Sequence, residues 1–483
     1  MKRTTFFRLL ILVLWGLALQ INVFAGISDE TSPGKAKYVF LFIGDGLGHA
    51  QVSTTEAYLA TLQGKTGFEP LNYSGFPHIG QSTTHANNRL ITGSAAAGTA
   101  LATGNKTNIN RISMDPAGTT PYETIAEIAK KHGYKVGIVT SVSIDHATPA
   151  VFYAHQPDRE MYFEIGIDLI NSGFDYFAGG GLLIPDGTWK DQEVNLPTLA
   201  AEKGYTVVNT AEGFHGLQPG SGKSLVLSPR TAGGASLPYA IDTHPGDLTL
   251  ADLTAKGIEM LSGDDGFFMM VEGGKIDWLC HANDAASLVR EMIAFSEAVD
   301  KALAFYQEYP ENTLIIVTSD HETGGLSLGH AATKYETNVE LLKYQRSSVE
   351  ELNKIVAHFR VNQSGDTEED FNRMLRVLEF DLGLHNRKYG TLLDDNEMAI
   401  LKELFMTTVM GIGAEKGTYG YSEPFMAKAI EIMNKKAGIA WGTGSHTAVN
   451  VPVYAIGTGA ERFTGVIDNT DIPRIIGELM GVW

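Results

Sequence analysis

Residues with the means to do chemistry recur just after short apolar runs in this sequence. The richest stretch is Val271-Glu272-Gly273-Gly274-Lys275-Ile276-Asp277-Trp278-Leu279-Cys280-His281. An apolar run ends there in Glu272, and Asp277 and His281 stand at i and i+4, on one face if that turn is helical. A carboxylate and an imidazole so placed can chelate one divalent metal. Asp320-His321 follows another apolar run directly, and in a loop both side chains can reach the same ion. Asp45 sits between Gly44 and Gly46, where the backbone can approach a ligand closely; a turn aspartate bonding its own backbone fits equally. Asp145, His146 and Thr148 close a further run, Arg159 lies 11 residues beyond Thr148, and His446 stands in the Gly-rich loop Trp441-Gly442-Thr443-Gly444-Ser445-His446-Thr447. An arginine near such a site can fork onto phosphate oxygens.

In Thr92-Gly93-Ser94-Ala95-Ala96-Ala97 a small-residue turn leads into an Ala-rich helix, with Ser94 near its amino end. Backbone N–H groups and the helix dipole favour a phosphate there, and a plain N-cap serine is the other reading. The segment is not a Gly-x-Ser-x-Gly elbow, because Gly93 directly precedes the serine. Cys280 is the only cysteine, which excludes an intrachain disulfide; it reads as a small buried apolar residue rather than a thiolate ligand. Acids and histidines at separate strand ends are hard to explain by packing, because buried carboxylates are costly unless paired or metal-bound.

Positioning these groups calls for strands, and six runs read as buried ones: Tyr38–Ile43, Lys135–Ser141, Phe174–Ala178, Phe267–Val271, Thr313–Thr318 and Val451–Ile456. Helical patterns lie between some of them. Thr120-Pro121-Tyr122-Glu123 reads as a capping box opening a helix toward Gly133, and Leu288, Met292, Phe295, Val299 and Ala302 mark one helical face. The alternation predicts an α/β fold with a mostly parallel central sheet flanked by helices, and sites at the carboxyl ends of its strands. From Lys334 to Lys436 the pattern is helical instead, with starts at Ser348-Val349-Glu350-Glu351 and Thr367, and reads as a subdomain inserted into a single domain spanning 26–483.

Lys plus Arg number 37 against 56 Asp plus Glu, so the 483-residue chain carries a formal charge of -19. That balance argues against a nucleic-acid-binding surface, although bound metal can reverse a local field and admit small anions. With 43% hydrophobic residues, wholesale disorder is excluded. Residues 1–25 read as a secretory signal, with Lys2, Arg3 and Arg8, an apolar run from Leu9 to Leu19 and Val23-Phe24-Ala25 at the cleavage point. The run is too short for a membrane anchor, which needs about 20 residues. The expectation is an exported protein, periplasmic or secreted.

Taken in order, these segments resemble the alkaline phosphatase family: Ile-Gly-Asp-Gly at 43–46, Thr-Gly-Ser-Ala-Ala at 92–96, His-Ala-Thr-Pro at 146–149, Arg159, Glu272 through His281, Asp320-His321 and His446-Thr447. The resemblance implies hydrolysis of phosphate monoesters to alcohol and inorganic phosphate, with broad specificity and an alkaline optimum. It implies that Ser94 is the nucleophile that becomes a phosphoserine and Arg159 the phosphate clamp. It implies two zinc ions, one held by Asp277, His281 and His446, the other by Asp45, Asp320 and His321. A magnesium site would use Asp45 again with Thr148 and Glu272.

The sequence departs from the pattern at three points. Many relatives carry an aspartate directly before the nucleophile, where it orients the clamping arginine; here that residue is Gly93. His146 and Trp278 stand where some relatives have Asp and Lys, and His146 draws the third site toward zinc or leaves magnesium there. The same metal logic serves phosphodiester-cleaving relatives, but the third-site set favours monoesters. A non-catalytic metal- or phosphate-binding protein would leave Ser94 idle. The insertion falls where relatives carry variable segments, some of them crowning a dimer interface, which raises a homodimer as an expectation.

Overall fold

Tyr38–Gly44 is apolar at every position up to its last, and the alternation of a strand sends Tyr38, Phe40 and Phe42 to one face and Val39, Leu41 and Ile43 to the other. Both sets are buried, so this strand must lie at the centre of a sheet covered on both sides. The computed structural model describes residues 34–411, 415–417 and 420–483, and 35–483 form one compact unit. The expected export signal, 1–25, lies outside the described residues.

The main sheet has ten strands among the described residues: β1 Tyr38–Gly44, β2 His78–Thr83, β3 Lys135–Thr140, β4 Tyr176–Gly179, β5 Tyr205–Val208, β6 Lys223–Leu227, β7 Phe267–Gly273, β8 Thr313–Thr318, β9 Val451–Gly457 and β10 Gly465–Asp468. Their spatial order is β10-β2-β9-β8-β1-β7-β3-β4-β6-β5. Every neighbouring pair is parallel except the two that involve β9. Ile43 is level with both Glu272 and Thr318, and Glu272 is level with Thr140. The next residues of β1, β3, β7 and β8 therefore emerge along one edge. Because β9 is antiparallel, its amino end meets that edge, and the preceding loop brings His446 to it.

One face carries the helices His49–Leu62, Leu250–Leu261 and Ala285–Glu308, and the other carries Ser94–Thr103, Ile125–Lys131, Tyr162–Ser172 and Asp471–Met480. The segment 334–436 is mainly helical, with Val349–Val361, Thr367–Val377, Asp395–Leu404 and Pro424–Ala437, plus a short strand pair, Glu415–Gly417 with Gly420–Ser422. Its Leu352, Val356, Phe371, Met374, Phe405 and Met433 join the same apolar cluster as Phe40, Phe42 and Phe295. The segment 334–436 thus shares its core with one face of the sheet.

The helix expected from Thr120 begins later, at Ile125, with Thr124 as N-cap and Glu127 closing the box. Backbone pairing explains the shift: Tyr122 N donates to Ser113 O at 2.8 Å and Pro121 bridges Met114, so 120–122 are held extended. The strand expected at Phe174–Ala178 runs Tyr176–Gly179, because Asp175 N donates to Val136 O and only then does the ladder with β3 begin.

Candidate active site

At the carboxyl edge, the helix Lys275–His281 puts Asp277 and His281 one turn apart. The loop carrying Asp45 passes so near that a Cβ on Gly46 (φ 75°) would lie 2.8 Å from Asp277 Cα; only glycine fits that approach. Three histidines face the cluster, and the oxygens beside them fix their tautomers. His281 Nδ1 lies 2.7 Å from Gly444 O and His446 Nδ1 2.8 Å from Thr92 O. A carbonyl only accepts, so each Nδ1 carries a proton, and in the neutral ring each Nε2 carries a lone pair. Thr323 Oγ1 donates to Asp277 Oδ1 at 2.5 Å and so accepts from His321 Nδ1 at 3.3 Å, giving His321 the same tautomer.

The lone pairs converge on carboxylates. His281 Nε2 and His446 Nε2 are 3.1 Å apart, and lie 3.3 and 3.7 Å from the two oxygens of Asp277. Two acceptors at that separation need a proton or a cation between them. His321 Nε2 is 3.5 Å from Asp45 Oδ1 and 3.4 Å from Asp320 Oδ2, oxygens that are buried and accept no hydrogen bond. Glu272 Oε1 is likewise buried without a donor, while Thr140 Oγ1 donates to Oε2. Thr148 Oγ1 donates to Asp45 Oδ2 at 3.2 Å. Three groups have ligand atoms within 4.8 Å of one another: Asp277 with His281 and His446, Asp45 with Asp277 and His321, and Asp45 with His146 and Glu272. The donors fit divalent cations, nitrogen-rich in the first group and oxygen-rich in the last.

Electrostatics make the same point. Burial, then repulsion from Asp320, Asp277 and Glu272, holds Asp45 well above the usual carboxylate range. Burial first, then neighbouring acids, pushes Asp320 to about 7 and Glu272 to about 8. Asp277 goes the other way: burial raises it, but His281, His446 and His321 together pull it down.

Ser94 is the first residue of its helix, and the N-cap is Gly93, which settles the choice left open by the sequence: Ser94 is not the cap. Its Oγ instead lies 3.2 Å from His321 Nε2 and is positioned to donate to it. Arg159 Nη2 donates to His146 Nε2 at 3.1 Å, and burial, reinforced by Arg159, lowers His146 to about 3, so the imidazole is neutral. The Trp278 ring stands edge-on to His146, with centroids 6.0 Å apart. Asp145 turns away to accept from Leu183 N at 2.8 Å. Cys280 is buried beside Gln51 and is not among the candidate ligand groups.

Asp45, Ser94, His146, Thr148, Arg159, Glu272, Asp277, His281, Asp320, His321 and His446 lie together at this edge, whereas Asp145 and Cys280 take no part in the cluster. Sequence reading missed Thr323, which touches both Asp277 and His321, and Glu322, which accepts from Gln51, Gly325 N and Thr447 Oγ1 beside His446. The only signal for either was adjacency to Asp320-His321.

The family model described as alkaline phosphatase matches residues 36–482. The chain belongs to the alkaline phosphatase family. Alkaline phosphatase 3 of Bacillus subtilis is 32% identical over 91% of this chain and 87% of its own length. The crystal structure of the Thermus thermophilus alkaline phosphatase superposes with a TM-score of 0.76 at 25% identity, covering 95% of this chain and 94% of that one. A His-to-Glu mutant of the alkaline phosphatase from the Antarctic bacterium TAB5, with Mg bound in its M3 site, gives 0.63 at 27% identity over 93% of this chain and 99% of that one. Family and fold support phosphate-monoester hydrolysis as the activity of this edge.

Proposed function

We propose that Ser94 opens phosphate monoesters by direct attack on phosphorus, and that the acidic and histidine cluster holds the cations the reaction needs. The observation that carries the reading is the convergence of three imidazoles and four buried carboxylates in one cluster, whose His321 Nε2 lies 3.2 Å from Ser94 Oγ. Asp277, His281 and His446 would hold one zinc; Asp45, Asp320 and His321 would hold a second. Asp45, Thr148 and Glu272 would hold magnesium, with His146 near enough to draw that site toward zinc. The TAB5 mutant carries Mg in its M3 site, which is consistent with a third, oxygen-rich site here.

Bound zinc supplies a field that lowers the pKa of a hydroxyl or water, to about 7 for water, and offsets charge on a departing oxygen. The protein supplies position. Ser94 Oγ attacks phosphorus as the alcohol oxygen departs on the opposite side, leaving a phosphoserine. Water then attacks that phosphorus, releasing inorganic phosphate and restoring Ser94. Arg159 offers its remaining N–H groups to phosphate oxygens while His146 holds Nη2. Amide groups at the start of Ser94–Thr103 point the helix dipole at the same anion. The His281 and His446 side chains keep a small exposed edge, 11% and 12%, which supports an alcohol side open to solvent and a broad specificity. Turnover should rise above neutral pH, since both attacking oxygens act deprotonated.

The reading includes export, supported by the basic and apolar pattern of residues 1–25, and a homodimer, supported by the position of the insertion. Acid quenching during turnover of p-nitrophenyl phosphate, followed by peptide mass analysis, tests the chemistry. Phosphate on Ser94, absent in Ser94→Ala, is expected; turnover with no modified serine would refute it.

A further inference from the structure

The segment after β6 folds back as a tight turn toward the catalytic edge, with Ala232 N donating to Ser236 O at 2.8 Å. Its base is pinned to the sheet side: Leu237 N donates to Ser141 O at 2.9 Å, and the buried Lys275 Nζ donates to Leu237 O at 2.5 Å above the Tyr239 ring. Its tip, Gly233-Gly234, lies against Trp278, and a Cβ added to Gly234 (φ 65°) would stand 2.9 Å from Trp278 Cη2. The tie on the tip comes from the insertion. Glu350, in the first turn of the helix Val349–Val361, accepts from Gly233 N at 3.1 Å. That helix start is anchored in turn by Ser348 N on Asp242 Oδ1 at 2.9 Å and Val349 N on Asp284 Oδ2 at 3.0 Å.

We infer that Glu350 is a positioning residue for phosphate: it holds the Gly233-Gly234 tip against Trp278, which walls His146, which holds Arg159. The inference rests on the proposed role of Arg159 and gives the insertion a part in the reaction. Each link is a contact between neighbours, from Glu350 to Gly233, Gly234 to Trp278, Trp278 to His146 at 6.0 Å and 76°, and His146 to Arg159 at 3.1 Å.

The assay compares KM and kcat for p-nitrophenyl phosphate, and calorimetric binding of inorganic phosphate, in Glu350→Ala, Glu350→Gln and Glu351→Ala. Glu350→Ala should raise KM and weaken phosphate binding about fivefold, the scale of one hydrogen bond, with kcat changed by less than about twofold. Glu350→Gln keeps an acceptor oxygen and should stay near wild type. Glu351 pairs with the same Lys354 without reaching the turn, so its loss should change neither quantity. A double-mutant cycle with His146→Ala should be non-additive in phosphate binding. Normal phosphate binding in Glu350→Ala, or equal weakening in Glu351→Ala, overturns the inference. If Glu350→Ala does not fold, Gly234→Ala presses on Trp278 from the turn side; unaltered phosphate binding there also overturns it. Wild-type protein that binds phosphate but cleaves no ester would instead refute the proposed function, and the binding arm would still judge Glu350.

Discussion

Stripping cations with EDTA should invert the pH dependence of stability, because Asp45, Glu272, Asp277 and Asp320 then face one another in a buried cluster. Burial and mutual repulsion raise Glu272 from 4.5 to about 8 and Asp320 from 3.8 to about 7. An acid whose folded pKa is raised binds more protons folded than unfolded between the two values, so stability falls as pH climbs through that window. For these groups the window runs from about 4 to about 8. The Glu272 shift alone corresponds to roughly 5 kcal/mol, a large fraction of the 5–15 kcal/mol typical of a domain. With cations bound the sign reverses: the carboxylates must be ionised to bind, protons compete with metal, and stability rises from pH 5 toward 8. Urea midpoints of EDTA-treated and metal-loaded protein at pH 5.5 and pH 9 read both slopes. Glu272→Gln separates the cluster from the general acidity of the chain, since it should flatten the metal-free slope specifically. A metal-free midpoint that is level or rises between those pH values would refute the reasoning.

Other outcomes follow from the same geometry. Open space surrounds a Cβ built on Gly93, so Gly93→Asp should fold, cap the Ser94 helix and tighten inhibition by phosphate; an unchanged inhibition constant would show that an aspartate at 93 adds nothing to the orientation of Arg159. Thr323→Val removes the donor to Asp277 while keeping shape, and should cost about 10- to 100-fold in zinc affinity by equilibrium dialysis, with little change in metal-free stability. Rates on p-nitrophenyl phosphate should far exceed those on its bis-ester; comparable rates would move the reading to phosphodiesters.

Legibility in the sequence followed how locally each feature is determined. The central strands were plain because burial on both faces leaves an unbroken apolar run, as in Tyr38–Gly44 and Thr313–Thr318. At one side of the sheet, His78–Thr83 mixes exposed and buried positions and the edge strand Gly465–Asp468 is exposed or half-buried throughout, so neither left such a mark. Nothing local to Val451–Gly457 announces that it runs against its neighbours; that is fixed by pairing with β8 and β2, and it is what delivers His446. The Asp277/His281 pair was readable because helical spacing encodes its geometry. Thr323 was not, since a threonine after a ligand pair looks like any loop threonine until its oxygen is seen between Asp277 and His321. The two T-x-x-E boxes, at Thr120 and Thr124, were locally equivalent, and the backbone pairing of Met114 with Pro121 selected the second.

The most direct test of the cation cluster facing Ser94 is metal removal and return. Protein dialysed against EDTA should release no phosphate from p-nitrophenyl phosphate, zinc with magnesium should restore release, and Ser94→Ala should stay silent under full metal loading. Undiminished hydrolysis by protein shown by elemental analysis to be free of zinc and magnesium would contradict the account.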